Sequence, residues 1–343
     1  MNRCCRSTWL SAGLLLAMVL AIFWLFPQGA GAAVVCKKEL PEITFKNLSP
    51  PYKNYDYFEN CHLFPFEYNA SAFSLINAWW LAEASMLVYA DEAYVIQRFS
   101  QAGLTNIQFL NRSSTQCFVA ANDRFAIVAF RGSEIWKRDE HIDPRRIIAD
   151  LKTNIDIRLS PWNQGGRVHS GFKAALDDVW DELLPAIEKL QAQGLKIWIT
   201  GHSLGAALAT LATDRLQTVQ GLYTYGSPRV GDQAFKDRFR PGTFRVVNGS
   251  DIVARVPPAG FFRHVGEFKW VESENDSRDR CDDDGENDDA PFREDSTVYE
   301  SSREDAKINS AVFIPSPVRD HVPLLYAILL WNEMVEKLKS NGN

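Results

Sequence analysis

A five-residue apolar strand pattern, Lys196–Thr200 (KIWIT), runs directly into Gly201-His202-Ser203-Leu204-Gly205 and then into an Ala-rich helical pattern over Ser203–Leu216. Few junctions restrict a backbone so tightly. A serine at a sharp strand-to-helix turn is held in a strained conformation, and only glycines two before and two after it let strand and helix approach. The turn lifts the Ser203 hydroxyl off the sheet edge, while the start of the helix aims backbone N–H groups at any negative charge that forms beside it. A G-x-S-x-G string alone recurs by chance, so its specificity comes from the strand before it and the helix after it.

The elements around this junction set the fold class. Helical spacing of apolar residues over Ala78–Asp91 is followed by three β-rich runs, Ile107–Leu110, Gln116–Ala120 and Phe125–Phe130, which suit an antiparallel start. A helical pattern over Gly171–Gln193 precedes the KIWIT strand. Beyond Leu216 come a strand at Leu222–Tyr225, a short helix at Asp232–Phe239, a strand at Thr243–Val247 and an amphipathic helix at Val322–Leu338. This alternation predicts an α/β fold, a mainly parallel sheet covered by helices. Leu40 to about Tyr68 lacks clear periodicity and reads as an irregular lead-in.

Composition excludes other classes. With 343 residues, 46% apolar and 23% charged, the chain can bury the core of one large domain or two modest ones, and it is neither disordered nor fibrous. A net charge of −6 gives no electrostatic reason to expect a nucleic-acid partner. That charge is unevenly spread. Glu272 to Asp305 holds 15 acidic and 4 basic residues, so the rest of the chain is mildly basic. Low apolar content and like charge predict a solvated, flexible acidic insertion there. An EF-hand register through Asp282, Asp284 and Gly285 would put Arg280 and Pro291 where carboxylates are needed, so that calcium motif fails.

A serine hydroxyl becomes a useful nucleophile only when a base takes its proton and a carboxylate orients that base. In this motif class the order along the chain is Ser, acid, His. Of six histidines only His264 and His321 lie downstream of the junction, apart from His202, which is locked into the turn. His321 is favoured because it stands in a short loop, Pro315 to Asp320, immediately before the last helix. His264 lies just before the strand-like Glu267–Val271 and reads as a structural, hydrogen-bonded histidine. Asp251, directly past the strand TFRVV and the turn Asn248-Gly249-Ser250, is the candidate acid; Asp232 and Asp237 fall on a helical pattern.

Further strings carry a resemblance. Phe130-Arg131-Gly132-Ser133, Val168-His169-Ser170-Gly171-Phe172, GHSLGAALA from Gly201, the run Tyr223 to Gly231 (YTYGSPRVG), Val247-Asn248 leading to Asp251 and Pro257-Pro258, and Asp320-His321 occur in that order. Over roughly Ala78 to Leu338 the chain resembles the class 3 lipases, the fungal-type triacylglycerol lipases of the α/β-hydrolase superfamily. The resemblance implies Ser203 as nucleophile, His321 as base and Asp251 as orienting acid, as chain order does. It also implies an oxyanion hole made by Ser133 and by the backbone N–H of Leu204, and a structural role for His264 in His264-Val265-Gly266. No cofactor or metal is implied.

On this reading residues 78–343 form an α/β-hydrolase domain, with 34–77 as lead-in and 272–309 as the acidic insertion. The expected activity is ester hydrolysis through an acyl-enzyme. Triacylglycerol or related lipid esters at a lipid–water interface are favoured, followed by phospholipid A1-type cleavage and short-chain or aromatic esters. Val256, Pro257, Phe261, Phe262 and Trp162 are apolar candidates for shaping the acyl pocket. Glu134 to Ile148 occupies the family's lid position but is longer and more charged than a simple amphipathic flap. A non-enzymatic surface protein on the same scaffold is the rival from another class, opposed by the full set Ser203, Asp251, His321 and Ser133.

Arg3 and Arg6 precede an 18-residue apolar run, Trp9 to Phe26, and Ala30-Gly31-Ala32 offers a small-x-small cleavage site. The segment 1–33 therefore reads as an export signal, either cleaved or retained as an N-terminal membrane anchor with the catalytic domain outside the cytoplasm. Export permits disulfides among Cys36, Cys61, Cys117 and Cys281, in three possible pairings, or buried free thiols instead. Oligomeric state is not legible.

Overall fold

The computed structural model describes residues 35–112, 115–133, 157–271 and 314–341. The compact unit over residues 38–343 holds the elements below; of the unit before it only residues 35–37 are described, without regular secondary structure. The sequence-expected export segment, the lid-position segment Glu134 to Ile148 and the acidic insertion lie outside the described residues. Among the described residues no helix is long and apolar enough to cross a membrane.

The chain runs α1 (Phe45–Leu48), α2 (Leu75–Leu87), α3 (Glu92–Gln101), β1 (Asn106–Asn111), β2 (Gln116–Ala121), β3 (Phe125–Phe130), β4 (Leu159–Pro161), β5 (Arg167–His169), α4 (Ser170–Ala192), β6 (Lys196–His202), α5 (Leu204–Leu216), β7 (Gly221–Tyr225), α6 (Gln233–Arg238), β8 (Thr243–Asn248), β9 (Glu267–Val271), α7 (Ser316–Arg319) and α8 (Pro323–Asn341). Seven strands form one sheet in the order β1-β2-β3-β6-β7-β8-β9. The first two pairings are antiparallel and the four from β3 to β9 are parallel. This is the α/β-hydrolase arrangement, with β4 and β5 as a separate hairpin.

Both faces of the sheet are covered, and the period-two alternation of its strands decides which residues go where. Val119, Val128, Ile197, Ile199 and Leu222 point into one core with Leu176, Val179, Leu183 and Ile187 of α4 and Ala207, Leu208 and Leu211 of α5. Full burial of one such Leu or Ile side chain is worth about 1.5–3 kcal/mol. The intervening residues face the other way. There the Thr200 hydroxyl donates to the Leu81 carbonyl at 3.1 Å, and the Trp198 indole donates to the Tyr68 carbonyl at 3.1 Å.

On that second face α2 packs with α8, Trp79 and Trp331 meeting at 5.1 Å between ring centroids. α2 starts at Ser74, whose side chain accepts from the Asn77 N–H. The largely irregular stretch before it lays Phe58 against Trp80, Phe64 against Trp331 and Phe66 against Phe125 and Trp198. Aromatic content rather than periodicity anchors this segment.

Several features were not anticipated. α3 follows an N-cap at Asp91 and buries Val95 and Phe99, and the β4–β5 hairpin is too short to leave a periodic signal. The stretch before His321, expected as a loop, contains the helical turn α7. Cys61 and Cys117 are free thiols; burial pushes the Cys117 thiol up to about 12.

Candidate active site

β6 ends where the backbone turns back on itself. Ser203 has φ 59° and ψ −129°, a region that costs a residue with a Cβ about 1–3 kcal/mol, and α5 begins at the next residue. The crossing leaves no space for side chains. A Cβ on Gly201 would collide with the backbone of Gly205, and one on Gly205 would collide with the Phe130 carbonyl of β3. The Ser203 N–H donates to the Tyr225 carbonyl at 3.0 Å, which ties the turn to β7.

Two further chain segments complete the site. Asp251 follows β8, and His321 precedes α8. His321 Nε2 lies 2.9 Å from Ser203 Oγ, and His321 Nδ1 lies 2.9 Å from Asp251 Oδ2. These partners define the protons: Nδ1–H donates to the carboxylate, and Nε2 accepts from the serine hydroxyl. Ser203, His321 and Asp251 are 5%, 3% and 1% exposed, so water competes little for these bonds.

Both carboxylate oxygens of Asp251 accept hydrogen bonds. Its Oδ1 accepts from the Val253 N–H at 2.8 Å, and its Oδ2 accepts from the Tyr326 hydroxyl at 2.6 Å as well as from His321. Burial alone would push this carboxyl up. The His321 charge and the hydrogen bonds from His321 and Tyr326 outweigh it and hold the group below the usual carboxylate range. Tyr326 also accepts from the Asn248 N–H at 3.1 Å, so its hydroxyl is used in both senses.

Next to the acid–base pair, Gly226 has φ +54°, and a Cβ there would stand 2.9 Å from His321 Nδ1 and closer still to Asp251 Oδ2. Only glycine fits. His202 lies behind His321, ring centroids 4.5 Å apart, and its Nε2 donates to the His321 carbonyl at 2.7 Å. Burial, reinforced by His321, pushes His202 down to about 3, so it stays a neutral donor. His264 is elsewhere occupied, its Nε2 donating to the Ala254 carbonyl at 2.8 Å.

Leu204 follows Ser203 directly, and Ser133 follows Gly132, which approaches Ser203. Leu204 opens α5, where the first N–H groups have no intrahelical acceptor. Ser133 ends the turn after β3. Its neighbour Gly132 is so close that a Cβ there would stand 3.2 Å from Ser203 Cβ. Of the pocket candidates, Val256 and Phe262 are buried and Phe261 is 64% exposed. Trp162 does not shape this site: it belongs to the core under α4 and α5, its indole donating to Asp214 at 2.6 Å. Its apolar ring suited either place, and the buried carboxylate of Asp214 decided which.

Residues 127–261 match the family described as lipase (class 3). Over those residues the chain is similar to the class 3 lipases. Among curated relatives, a lipase of Rhizomucor miehei is 37% identical over 173 residues, covering 46% of this chain and 45% of that protein. The secreted mono- and diacylglycerol lipase 1 of Fusarium solani is 32% identical over 148 residues, covering 37% and 44%. The chain thus spans less than half the length of these relatives. The solved triacylglyceride lipase of Rhizomucor miehei is 29% identical with a TM-score of 0.41, over 50% of this chain and 69% of that one.

Two side chains of this site were absent from the sequence reading, Tyr326 and His202 as a prop for His321. A tyrosine inside an apolar helix gives no sign of its hydroxyl partner. For Tyr326 the partner is decided by where α8 crosses β8. Among the described residues no group of three or more His, Cys, Asp or Glu converges as metal ligands would.

Proposed function

We propose that this protein is an exported serine hydrolase that cleaves the carboxylic esters of lipids, with Ser203 as nucleophile, His321 as general base and acid, and Asp251 as orienting carboxylate. The observation that carries the reading is the pair of 2.9 Å hydrogen bonds linking Ser203 Oγ, His321 and Asp251 at a strained strand-to-helix turn. Such a relay supplies both proton transfers of acyl exchange.

In the first half-reaction Ser203 Oγ bonds to the ester carbonyl carbon as its proton passes to His321 Nε2. The tetrahedral oxygen takes up the carbonyl electron pair, facing the N–H groups of Leu204 and Ser133 and the Ser133 hydroxyl. Collapse breaks the carbon–alkoxy bond, and the His321 Nε2 proton goes to the leaving alcohol. Water then adds to the acyl-enzyme, giving its proton to His321, and the acid departs as Ser203 regains its own. Asp251 keeps its charge throughout and stabilises the imidazolium. Oxyanion donors of this kind are each worth about 10²–10³ in turnover.

Lipid substrates are favoured by the match of residues 127–261 to the class 3 lipases and by relatives named as a lipase and as a mono- and diacylglycerol lipase. Export is supported by the basic-then-apolar N-terminus and by a relative named as secreted. A match, 30% identical, to a chloroplastic phospholipase A(1) of Arabidopsis thaliana keeps phospholipid sn-1 cleavage as the second reading.

The test is fluorophosphonate labelling of the wild type and of Ser203→Ala, with hydrolysis of p-nitrophenyl esters, triolein and phosphatidylcholine. Labelling lost in Ser203→Ala with triolein as the best substrate supports the first reading. Preferential release of the sn-1 fatty acid from phosphatidylcholine selects the second, and retained ester hydrolysis in Ser203→Ala removes the serine mechanism.

A further inference from the structure

His321 and Asp251 are 70 residues apart in sequence. In the chain, residues 272–313 lie between β9 and the segment that carries His321. Among the contacts that hold that segment against the loop after β8, two run to one carboxylate. Asp320, the residue before His321, is 5% exposed, and its Oδ2 accepts from both the N–H and the hydroxyl of Ser250, at 2.8 and 2.9 Å. Ser250 is the residue before Asp251.

Backbone carbonyls join the same two segments. The Asp320 carbonyl accepts from Asn248 Nδ2 at 3.0 Å, and the Ile252 N–H donates to the Pro317 carbonyl at 3.1 Å. Asp320 Oδ1 faces Arg319 at 2.8–2.9 Å. Gly249, with φ +44°, brings its backbone so near that a Cβ there would stand 3.1 Å from the Asp320 carboxyl carbon. Burial pushes the Asp320 carboxyl up, against the pull of Arg319 and Ser250. A buried carboxylate is an expensive way merely to close a loop, since an apolar filler of the same shape would serve as well.

We propose that Asp320 is a positioning residue of the active site, which through Ser250 locks the acid-bearing loop onto the base-bearing segment and so sets the Asp251–His321 geometry. The inference rests on the triad reading above. Asp320 touches no reacting atom. It acts one residue away from each of the two groups that must stay aligned, and a displacement of about 1 Å in such a relay costs on the order of 10² in rate.

The experiment compares Asp320→Ala, Asp320→Asn, Ser250→Ala and Ser203→Ala with wild type on a soluble p-nitrophenyl ester. Turnover is expressed per site titrated to completion with a fluorophosphonate. Asp320→Ala is expected to lower kcat by about 10² with KM within about twofold, because binding surfaces are untouched while the relay is misaligned. Asp320→Asn keeps one acceptor oxygen for Ser250 and is expected to recover about tenfold of that loss, and Ser250→Ala to lower kcat about threefold, the worth of one hydrogen bond. Wild-type kcat per titrated site in Asp320→Ala overturns the proposal. If Asp320→Ala does not fold, wild-type kcat in both Asp320→Asn and Ser250→Ala overturns it equally. An active Ser203→Ala instead removes the triad reading, a failure separate from that of Asp320.

Discussion

The Tyr326 hydroxyl lies 2.6 Å from Asp251 Oδ2, the same oxygen that faces His321 Nδ1 at 2.9 Å. One lone-pair-rich atom thus serves both a neutral donor and the imidazole. The tyrosine compensates for the desolvation of a carboxylate that water does not reach. Replacing it by phenylalanine leaves Asp251 with one donor fewer and the Asn248 N–H without this acceptor. Tyr326→Phe is expected to lower stability by about 1–3 kcal/mol and kcat by roughly tenfold, with KM little changed. Chemical denaturation and steady-state kinetics check this, and a wild-type kcat would show that Asp251 does not depend on the hydroxyl.

The strain at Ser203 sets function against stability. Glycine adopts φ 59° without penalty, whereas serine there costs about 1–3 kcal/mol. Ser203→Gly is therefore expected to unfold at higher denaturant concentration than the wild type while losing on the order of 10⁶ in turnover. A variant that is both inactive and less stable would mean that the turn is relaxed, contrary to its backbone angles.

Gly226 makes the opposite demand. A methyl group there would press on Asp251 Oδ2 and on His321 Nδ1 from a backbone at φ +54°. Gly226→Ala is expected to cost about 1–3 kcal/mol in stability and at least about 10² in kcat, because the acid–base pair must move aside. Unchanged turnover in a folded Gly226→Ala protein would contradict the proximity described.

Acid stability depends on histidines that play no part in proton transfer. Burial holds His264 neutral, well below its ordinary range, aided by the Arg245, Arg229 and Lys236 charges. The unfolded chain takes up this proton near pH 6.5 and the folded chain only at much lower pH, so stability falls as pH drops below about 6.5. His202 acts with the same sign, its folded value lying at about 3. Glu83 and Asp320, whose carboxyls burial pushes up, act with the opposite sign in wild type and variant alike. His264→Gln should thus reduce the loss between pH 6.5 and 5 by about 1.4 kcal/mol per pH unit. Denaturation midpoints at three pH values measure it, and parallel pH profiles for the two proteins would refute it.

How much of this was legible beforehand follows from the range of each interaction. The strand-turn-helix at Ser203 is a local matter of apolar spacing and two glycines, and its reading needed no partner. The strands β1, β2, β3, β6, β7 and β8 were each located because alternation and β-branched content are also local. Chain order singled out Asp251 and His321, and the structure brings those two, not His264, to Ser203.

What lay beyond the sequence is everything that depends on which face meets which. Trp162 is as apolar as any pocket residue, yet the Asp214 carboxylate buried behind the sheet draws its indole away from the site. Helix α3 is the exception, a local signal that went unread although its N-cap Asp91 and the spacing of its buried Val95 and Phe99 are helical. The Tyr326–Asp251, His202–His321 and Ser250–Asp320 bonds span 75, 119 and 70 residues. The sequence by itself determined most strands of the main sheet, its longer helices and the candidate reactive groups, since these are properties of neighbouring residues. Tertiary structure alone decided how the reactive groups are held, because a hydrogen bond between distant residues exists only once the sheet has been assembled and the helices have closed over it.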